Sequence, residues 1–248
     1  MAKGNFQIQN DFPAAAGLGL VSGVSTYSLF GVVSNLQADV DKDLTKLAVN
    51  VIPLPDNAGE ALEIVSDDVG DTAMMEVTAL GPDAEYLEPF IVVLNGTTPV
   101  PLPGLISRIN NLDSVGPDGF DGTVNIQQLG GGTVFITADP ADQQSVQALY
   151  TVPAGRRWMV GNLIGTMQKS GGADTDAVIN VLFKGFTQTK FRRPFGFGLQ
   201  RSGDTSVEFD NKYPAVALGP VDIKLRAVSS ATGANVAGWL SGLTFKGT

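Results

Sequence analysis

Short runs in which apolar and polar residues alternate dominate the chain from about residue 61 onward. Leu62 and Ile64 flank Glu63, and the same alternation recurs at residues 75–79 and 122–129. A two-residue period is the pattern of a strand with one buried face. Turn sequences rich in Gly, Pro, Asp and Asn separate these runs at intervals of about ten residues. The pattern predicts an all-β chain of short antiparallel strands.

The clearest alternation lies at residues 221–226, where Val, Ile and Leu alternate with Asp222, Lys224 and Arg226. This pattern predicts a half-buried antiparallel strand, with the three charged residues on the face opposite to the core. Residues 236–245 then form the last predicted strand.

Residues 150–155, Tyr-Thr-Val-Pro-Ala-Gly, divide the β-rich region. Pro153 lacks an amide hydrogen, and Gly155 adopts a positive φ without strain, so a strand should end here, turn and lead into the next strand at 156–163. We therefore predict two β-sandwich modules of jelly-roll type, residues 58–147 and 148–248. Pro153 and Gly155 are expected to set the angle between these modules.

Residues 1–57 show no clear period. They are predicted to form an extended N-terminal arm that becomes ordered on a neighbouring surface, with an unordered tail as the alternative. Polar residues follow Lys3 where a signal peptide would need an apolar run, and Ser and Thr interrupt residues 12–36 too often for a membrane span. We expect a protein that contacts no membrane and is assembled in the cytoplasm.

The composition restricts the partners. The formal net charge is −9, the pI is about 4.4, and only 17% of residues are charged, with 30 glycines. An acidic chain is a poor ligand for nucleic acid, whose phosphates need clustered Lys and Arg. The one basic cluster, Arg192 and Arg193 near Lys190, is interpreted as a solvated strand end. The weak charge and the many glycines indicate a surface that neighbouring subunits cover.

The chain contains neither cysteine nor histidine. This composition excludes disulfides, thiolate or imidazole metal sites, a histidine general base and a Ser-His-Asp triad. Carboxylate chemistry and the binding of hard cations remain open.

Several aspartates cluster in predicted turns, where oxygen ligands could hold Ca²⁺. None of these clusters matches the full calcium-loop pattern, and turns favour Asp for backbone reasons, so we interpret them as structural and predict no metal and no cofactor. A Gly130-Gly131-Gly132 run lacks the following helix that a phosphate-binding loop needs. The aspartates concerned are Asp67, Asp68, Asp71, Asp118, Asp121, Asp174 and Asp176.

A glycan hydrolase would need two carboxylates about 5–10 Å apart, and the sequence identifies no such pair, so we predict no catalytic residue. The candidates are Glu60, Glu63, Glu76, Glu85, Glu88 and Glu208. Trp158 and Trp239 lie in apolar strand patterns and are predicted to be in the core rather than on a sugar-binding surface. Phe191, Phe195 and Phe197 alternate as a core stripe.

Several segments together resemble a group of virion structural proteins of tailed bacteriophages that is common in marine and cyanobacterial phages. The resemblance covers about residues 58–248 and rests on turn and strand motifs. These are Ala61-Leu-Glu-Ile-Val-Ser-Asp-Asp68 with Asp71-Thr72, Leu94-Asn-Gly-Thr-Thr-Pro-Val100, Arg108-Ile109, Gly122-Thr-Val124, residues 150–155 and Val221-Asp-Ile-Lys-Leu-Arg-Ala227. It implies a non-enzymatic β-sandwich protein in the capsid or the tail and carries no catalytic residues.

We therefore expect a structural virion protein that decorates or joins parts of a phage capsid or tail. Its partners would be further copies of itself and other virion proteins, namely capsid, portal-proximal or tail subunits. A module that binds a host-surface glycan through loops 169–176 and 201–204 is the first alternative, and a carboxylate-based glycan hydrolase is the second.

Overall fold

The structure, a computed structural model, describes residues 23–117, 119–169, 176–200, 204–208 and 216–246. These residues form eighteen β-strands and one 3₁₀ turn, Pro82–Ala84, and no α-helix occurs among them. The predicted all-β class is confirmed, and every pair of named strands is antiparallel. In this part of the chain, no helix has the length and apolar character needed to cross a membrane.

The strands follow one another along the whole described chain. They are β1 (Val24–Leu36), β2 (Lys42–Asp43), β3 (Leu62–Ser66), β4 (Met74–Leu80), β5 (Phe90–Val93), β6 (Val100–Pro101), β7 (Arg108–Ser114), β8 (Val124–Gln128), β9 (Val134–Asp139), β10 (Gln144–Ser145), β11 (Leu149–Val152), β12 (Arg156–Lys169), β13 (Asp176–Gly185), β14 (Arg192–Gln200), β15 (Asp204–Glu208), β16 (Val216–Leu218), β17 (Val221–Ser229) and β18 (Ala234–Lys246).

Two five-stranded sheets pack face to face as a sandwich. The first has the order β1-β18-β12-β15, with β16 also paired to β12; the second has the order β11-β17-β13-β14, with β2 paired to β17. Leu29 and Trp158 from the first sheet and Ile179 and Leu225 from the second are buried in one shared core. Burial of such large side chains is the main stabilising contribution to the sandwich.

A row of three glycines crosses the inner face of the first sheet. Gly31, Gly238 and Gly165 are register partners on β1, β18 and β12. A Cβ on Gly238 would lie 2.8 Å from Leu44 Cδ1, and a Cβ on Gly165 would lie 2.8 Å from Ile179 Cδ1. The missing side chains therefore leave the space that residues of the facing layer fill.

A third sheet of eight strands, in the order β5-β4-β7-β10-β9-β8-β3-β6, has a core of its own. Met75, Leu112 and Ile126 are fully buried in that core. The Ser66 amide donates to the Gly96 carbonyl at 3.2 Å, which joins the end of β3 to the chain just beyond β5. The first module is thus one sheet curled around its core, whereas a two-sheet sandwich was expected.

The N-terminal residues differ from the predicted arm of residues 1–57. Residues 24–36 form β1, which pairs along almost its whole length with β18 inside the sandwich. Both faces of β1 mix small and apolar residues, with Gly31 and Val33 inside and Phe30 and Val32 outside, so no two-residue period is visible in the sequence. Residues 1–22 of the predicted arm lie outside the described residues.

Residues 150–155 form the predicted strand end, turn and entry to the next strand. Gly155 has φ +70°, and the Arg156 amide donates to the Pro153 carbonyl at 3.1 Å. Because β11 belongs to one sheet and β12 to the other, this turn connects the two layers of the sandwich. The Ala154 amide also donates to the Ala84 carbonyl of the first module at 3.0 Å. The proposed control of the inter-module angle by Pro153 and Gly155 stays a prediction.

Candidate functional site

The charged face of β17 is buried. Asp222 is 0% exposed and Lys224 is 1% exposed, so the expectation of a half-buried strand is wrong although the strand itself is present. Residues of opposite charge from other elements cover this face. The charged side chains of β17 thus form a contact surface inside the molecule. Sequence periodicity alone does not distinguish a strand face buried in this way from one that faces solvent.

Arg108 of β7 and Asp222 of β17 form a bidentate ion pair between the two modules. Arg108 Nε donates to Asp222 Oδ1 at 2.7 Å, and Arg108 NH2 donates to Oδ2 at 3.0 Å. Thr151 Oγ1 donates to Oδ1 at 2.8 Å, and Arg108 also donates to the Pro55 carbonyl at 2.9 Å. The Phe186 ring stacks 4.3 Å from the guanidinium carbon. Bidentate geometry of this kind fixes orientation as well as supplying attraction.

Asp43 of β2 holds the other two charges of the face. Its carboxylate accepts from Lys224 Nζ at 2.5 Å, from Arg226 Nε at 2.7 Å and from the Ile52 amide at 2.8 Å. Burial lowers the pKa of Lys224, and the charge of Asp43 opposes that shift. These contacts attach residues 43–52 to the sandwich.

Asn110 and Thr151 continue the contact between the modules with neutral groups. The Thr151 amide donates to Asn110 Oδ1 at 2.7 Å, and Asn110 Nδ2 donates to the Thr151 carbonyl at 3.0 Å. The Tyr27 hydroxyl donates to the Asn110 carbonyl at 2.7 Å. We call the contacts of Arg108, Asp222, Asn110, Thr151 and Tyr27 the polar seam. It joins the modules through satisfied hydrogen bonds and contains no group left free for chemistry.

The aspartate turn near residue 70 is structural. Asp71 Oδ1 accepts from the Asp121 amide at 2.8 Å, and Oδ2 accepts from the Gly122 amide at 3.0 Å and from the Ser66 hydroxyl. Burial raises the pKa of Asp71, but these hydrogen bonds lower it to a value below the ordinary one. Asp67 Oδ1 accepts from the Thr123 amide at 2.5 Å. The carboxylates thus hold the two predicted turns together.

Among the described residues, no group of three or more acidic side chains is placed to hold a metal ion. Asp118 and Asp174 lie outside the described residues. Asp176 opens β13, where its amide donates to Ser230 Oγ at 3.0 Å and its carbonyl accepts from the Ser230 amide at 2.9 Å. Its backbone therefore fixes the start of β13 against the end of β17.

The glycine run at 130–132 encloses a carboxylate of the same chain. The amides of Gly130 and Gly131 donate to Glu63 at 3.1 Å each, and Gln127 Nε2 donates at 2.8 Å. The hydrogen bond from Gln127 and those from the two glycines lower the pKa of Glu63. The loop therefore has the anion-binding geometry of successive backbone amides, and Glu63 occupies it. The alternation at 62–64 gave no sign that Glu63, 4% exposed, is buried.

One carboxylate pair that the sequence did not identify lies across β4 and β7, where Glu76 and Asp113 are register partners. Burial raises the pKa of Asp113, a hydrogen bond from Asn111 opposes the rise, and the charge of Glu76 adds to it. Asp113 Oδ1 has no hydrogen-bond partner among the described residues. Of the other hydrolase candidates, Glu60 accepts from the Asp56 amide at 2.8 Å, which is a turn contact.

The two tryptophans have different environments. Trp158 is 0% exposed, as predicted for a core residue, whereas Trp239 is 45% exposed and the core prediction for it is wrong. Trp239 projects from the outer face of the first sheet, beside Phe30 of β1 and Ile164 of β12 in register. Phe30 is likewise 45% exposed. The alternation in β18 is real, but its large aromatic residue lies on the outer face because glycines occupy the inner one.

The outer face around Trp239 carries no charged side chain at residues 28–34 of β1, 162–168 of β12 or 235–241 of β18. Arg157 lies further along β12, and Asp204 and Glu208 of β15 are the register partners of Thr166 and Asn162. We define the uncharged surface around Trp239 as the neutral face. Its outward positions, which are partly or fully exposed, are Ser28, Phe30, Val32, Ser34, Asn162, Ile164, Thr166, Gln168, Asn235, Ala237, Trp239 and Ser241. Exposed apolar surface bordered by neutral polar groups is typical of a contact region.

The remaining sequence predictions fall near β14. Phe195 and Phe197 pack against the sandwich core as predicted, while Phe191 instead covers the Lys224 ammonium at 4.1 Å. Arg192 and Arg193 are exposed at the start of β14, which confirms a solvated strand end. Most of the loops at 169–176 and 201–204 lies outside the described residues.

The sequence matches no protein-family model and no curated protein. Among solved structures, the chain is similar to a structure of the Gx strain of infectious bursal disease virus, with 14% identity and a TM-score of 0.29 over 90% of this chain and 71% of that one. It is also similar to the VP2 subviral particle of that virus, with 14% identity and a TM-score of 0.26 over 92% and 73%. TM-scores this low mean that the chains share little of a common arrangement, so the similarity establishes neither the fold nor the function.

Proposed function

We propose that this chain is a non-enzymatic structural protein of a virus particle, of the tailed-phage type. It would decorate or join parts of the capsid or tail, and it would function as an oligomer in contact with other virion proteins. Its place of action is the virion, after assembly in the cytoplasm of the host. The resemblance of residues 58–248 to phage virion proteins supports this proposal from the sequence side.

The observation that carries the proposal is the neutral face. Phe30, Ile164 and Trp239 form an apolar row on the outside of a rigid antiparallel sheet, and no charge interrupts it. Burying such a surface against another subunit is favourable by about 25 cal/mol per Å² of apolar area. An acidic protein that must lie beside further acidic copies benefits from a contact region without carboxylates, and β1, β18 and β12 contain none.

The use of the buried charges supports the same conclusion. Asp43, Asp222, Arg108 and Lys224 are all held in ion pairs that connect elements of the fold. Active sites require groups with perturbed titration that remain accessible to a substrate. Here the most strongly buried ionisable groups bind one another, which favours a structural role for them.

Mass spectrometry of purified particles tests this proposal. We expect the protein in many copies per particle, at a level comparable with the other abundant virion components. Its absence from washed particles, or its presence only in the infected-cell lysate, would contradict the proposal.

A host-glycan binding module is the second candidate, and the exposure of Trp239 favours it. An exposed aromatic ring beside neutral polar groups such as Thr166 and Ser241 is a surface on which sugars stack. Binding of the purified protein to host polysaccharide that is lost in Trp239→Ala and kept in Leu105→Ala would support this candidate. Binding that is absent from the wild-type protein would eliminate it.

A further inference from the structure

The first module ends in an open strand edge. β5, Phe90-Ile91-Val92-Val93, is the terminal strand of the eight-stranded sheet, and among the described strands it pairs on one side only, with β4. Its four residues are apolar and uncharged. Natural sheets usually protect such an edge with charge, proline or a covering segment, because unpaired backbone groups attract other strands.

The backbone of Ile91 and Val93 points away from the sheet. The Leu94 amide donates to the Ala73 carbonyl at 2.9 Å, which directs the backbone groups of Leu94, and by alternation those of Val92 and Phe90, toward β4. Those of Ile91 and Val93 therefore face the open edge. Among the described residues, none accepts a hydrogen bond from either amide.

The outer surface beside this edge is mainly apolar, although Glu76 of β4 is the register partner of Ile91. Ile91 is 58% exposed and Val93 is 55% exposed. Their neighbours include Met74, the register partner of Val93, and Val115, whose amide donates to the Met74 carbonyl; both are 41% exposed. The open backbone edge and an exposed apolar surface thus coincide at one place.

We propose that two copies of this chain associate through β5. The β5 strands of the two copies pair antiparallel, and the two-fold axis passes between the two Val92 residues. In this register Ile91 lies opposite Val93 of the other copy, so each of the two such pairs exchanges two backbone hydrogen bonds. The exposed Ile91 and Val93 side chains form one apolar row across the junction. This isologous contact rests on the proposed function insofar as that function requires an oligomer.

The charges near the edge favour an identical partner. The nearest acidic residue before β5 is Glu88, and the two-fold register places it opposite Gly96 of the other copy. No carboxylate therefore faces another across the junction, although the whole chain carries a net charge of −9. Pro89 precedes the strand and ends the pairing, because proline has no amide hydrogen. Association should strengthen with ionic strength, since salt screens the general repulsion between two acidic chains.

Sedimentation equilibrium of the full chain tests the edge. The wild-type protein should form dimers, or larger assemblies built from them. Ile91→Lys combined with Val93→Lys should weaken self-association by at least about tenfold, because each lysine then faces a lysine of the other copy. Leu105→Lys combined with Leu129→Lys is the matched control, since these residues are 50% and 49% exposed and lie outside β5. A monomeric wild-type protein, or equal weakening by both variants, would overturn the inference.

Disulfide trapping tests the register without disturbing the charge. The chain has no cysteine, so introduced thiols are unique. In the two-fold register the Cα atoms of residue 91 and residue 93 of the other copy lie about 5.5 Å apart, within disulfide reach, while two copies of residue 91 lie about 7–8 Å apart or more. A mixture of Ile91→Cys and Val93→Cys proteins should therefore form a covalent dimer on mild oxidation, and each protein alone should not. Equal cross-linking in all three samples would overturn the register.

The two proposals fail separately. A protein that is abundant in particles but monomeric in solution, with no covalent dimer in the mixed sample, would retain the structural function and contradict the β5 contact. A protein that forms the covalent dimer and is missing from particles would retain the contact and contradict the virion role.

Discussion

At the scale of single residues, the polar groups inside this protein are used to hold backbone. Glu63 binds the amides of Gly130 and Gly131, and Asp71 binds the amides of Asp121 and Gly122. Charge-assisted hydrogen bonds of this kind are roughly twice as strong as neutral ones. Glu63 and Asp71, which the sequence offered as candidates for catalysis and for metal binding, therefore stabilise turns by accepting hydrogen bonds from backbone amides.

The Glu63 contact predicts a pH-dependent stability. The folded-state pKa of Glu63 lies below its ordinary value of 4.5, so its contribution is present above that pH and is lost as the pH falls through the folded-state value. Glu63→Gln should lower the free energy of unfolding by about 1–2 kcal/mol at pH 7, and this difference should shrink below about pH 4.5. Urea unfolding of the wild-type and variant proteins, at pH 7 and below about pH 4.5, measures this difference in the free energy of unfolding. The exposed control Glu85→Gln should change little, and a Glu63→Gln effect independent of pH would contradict this account.

At the scale of elements, alternation in the sequence predicted strands well where one face was uniformly apolar. The strands at 62–66 and 124–128 follow this rule and occur as predicted, and the predicted strand at 236–245 also occurs. β1 does not, because Gly31 occupies its core-facing side while Phe30 occupies its outer side. β18 has the same arrangement, with Gly238 on its inner face and Trp239 on its outer face.

The alternation at β17 gave the strand but not its surroundings. Its charged face is buried by Arg108 and Asp43, which lie more than a hundred residues away in the chain. Long-range pairing of this kind leaves no local signal, since each partner alone resembles an ordinary surface charge. The neutral face and the polar seam could therefore be recognised only once the strands were in register.

The glycine row predicts that the first sheet tolerates no added methyl group. Gly238→Ala should lower the free energy of unfolding by about 1–3 kcal/mol, because the new Cβ would lie 2.8 Å from Leu44 Cδ1 and 3.0 Å from Leu225 Cδ1. Gly198→Ala is the matched control, since nothing lies within 4 Å of its Cβ position. Thermal unfolding of both variants measures the difference, and equal stability would mean that the two layers are not in close contact at this row.

At the scale of the whole molecule, two cores are joined by a seam of buried polar contacts. The eight-stranded sheet and the sandwich meet through Arg108 and Asp222, through Asn110 and Thr151, and through the turn at Ala154. Residues 150–155 were predicted to be either a hinge between the modules or the first hairpin of the second module, and Tyr150 and Val152 belong to the sandwich core. A seam built from satisfied hydrogen bonds holds the modules in one orientation.

Removing the central cation should weaken the seam. Arg108→Met leaves Asp222 with Lys184 Nζ, at 3.3 Å from Oδ2, as its remaining cation. Breaking a buried ion pair costs about 3–5 kcal/mol, and the charge of Lys184 should keep the loss at or below the lower end of this range. We expect a lower free energy of unfolding in guanidinium chloride and the appearance of two transitions as the cores lose their coupling. Arg192→Met, at an exposed position, serves as the control. A single transition at the wild-type midpoint would show that the seam contributes little.

A cryo-electron-microscopy reconstruction of the virion tests the central claim most directly, because it locates the protein and shows what covers its surfaces. We predict repeated density for this fold on the capsid or the tail, with the neutral face around Phe30, Ile164 and Trp239 buried against a neighbouring subunit. Density for the fold in which this face is open to solvent in every copy, or a complete particle without the fold, would contradict the account.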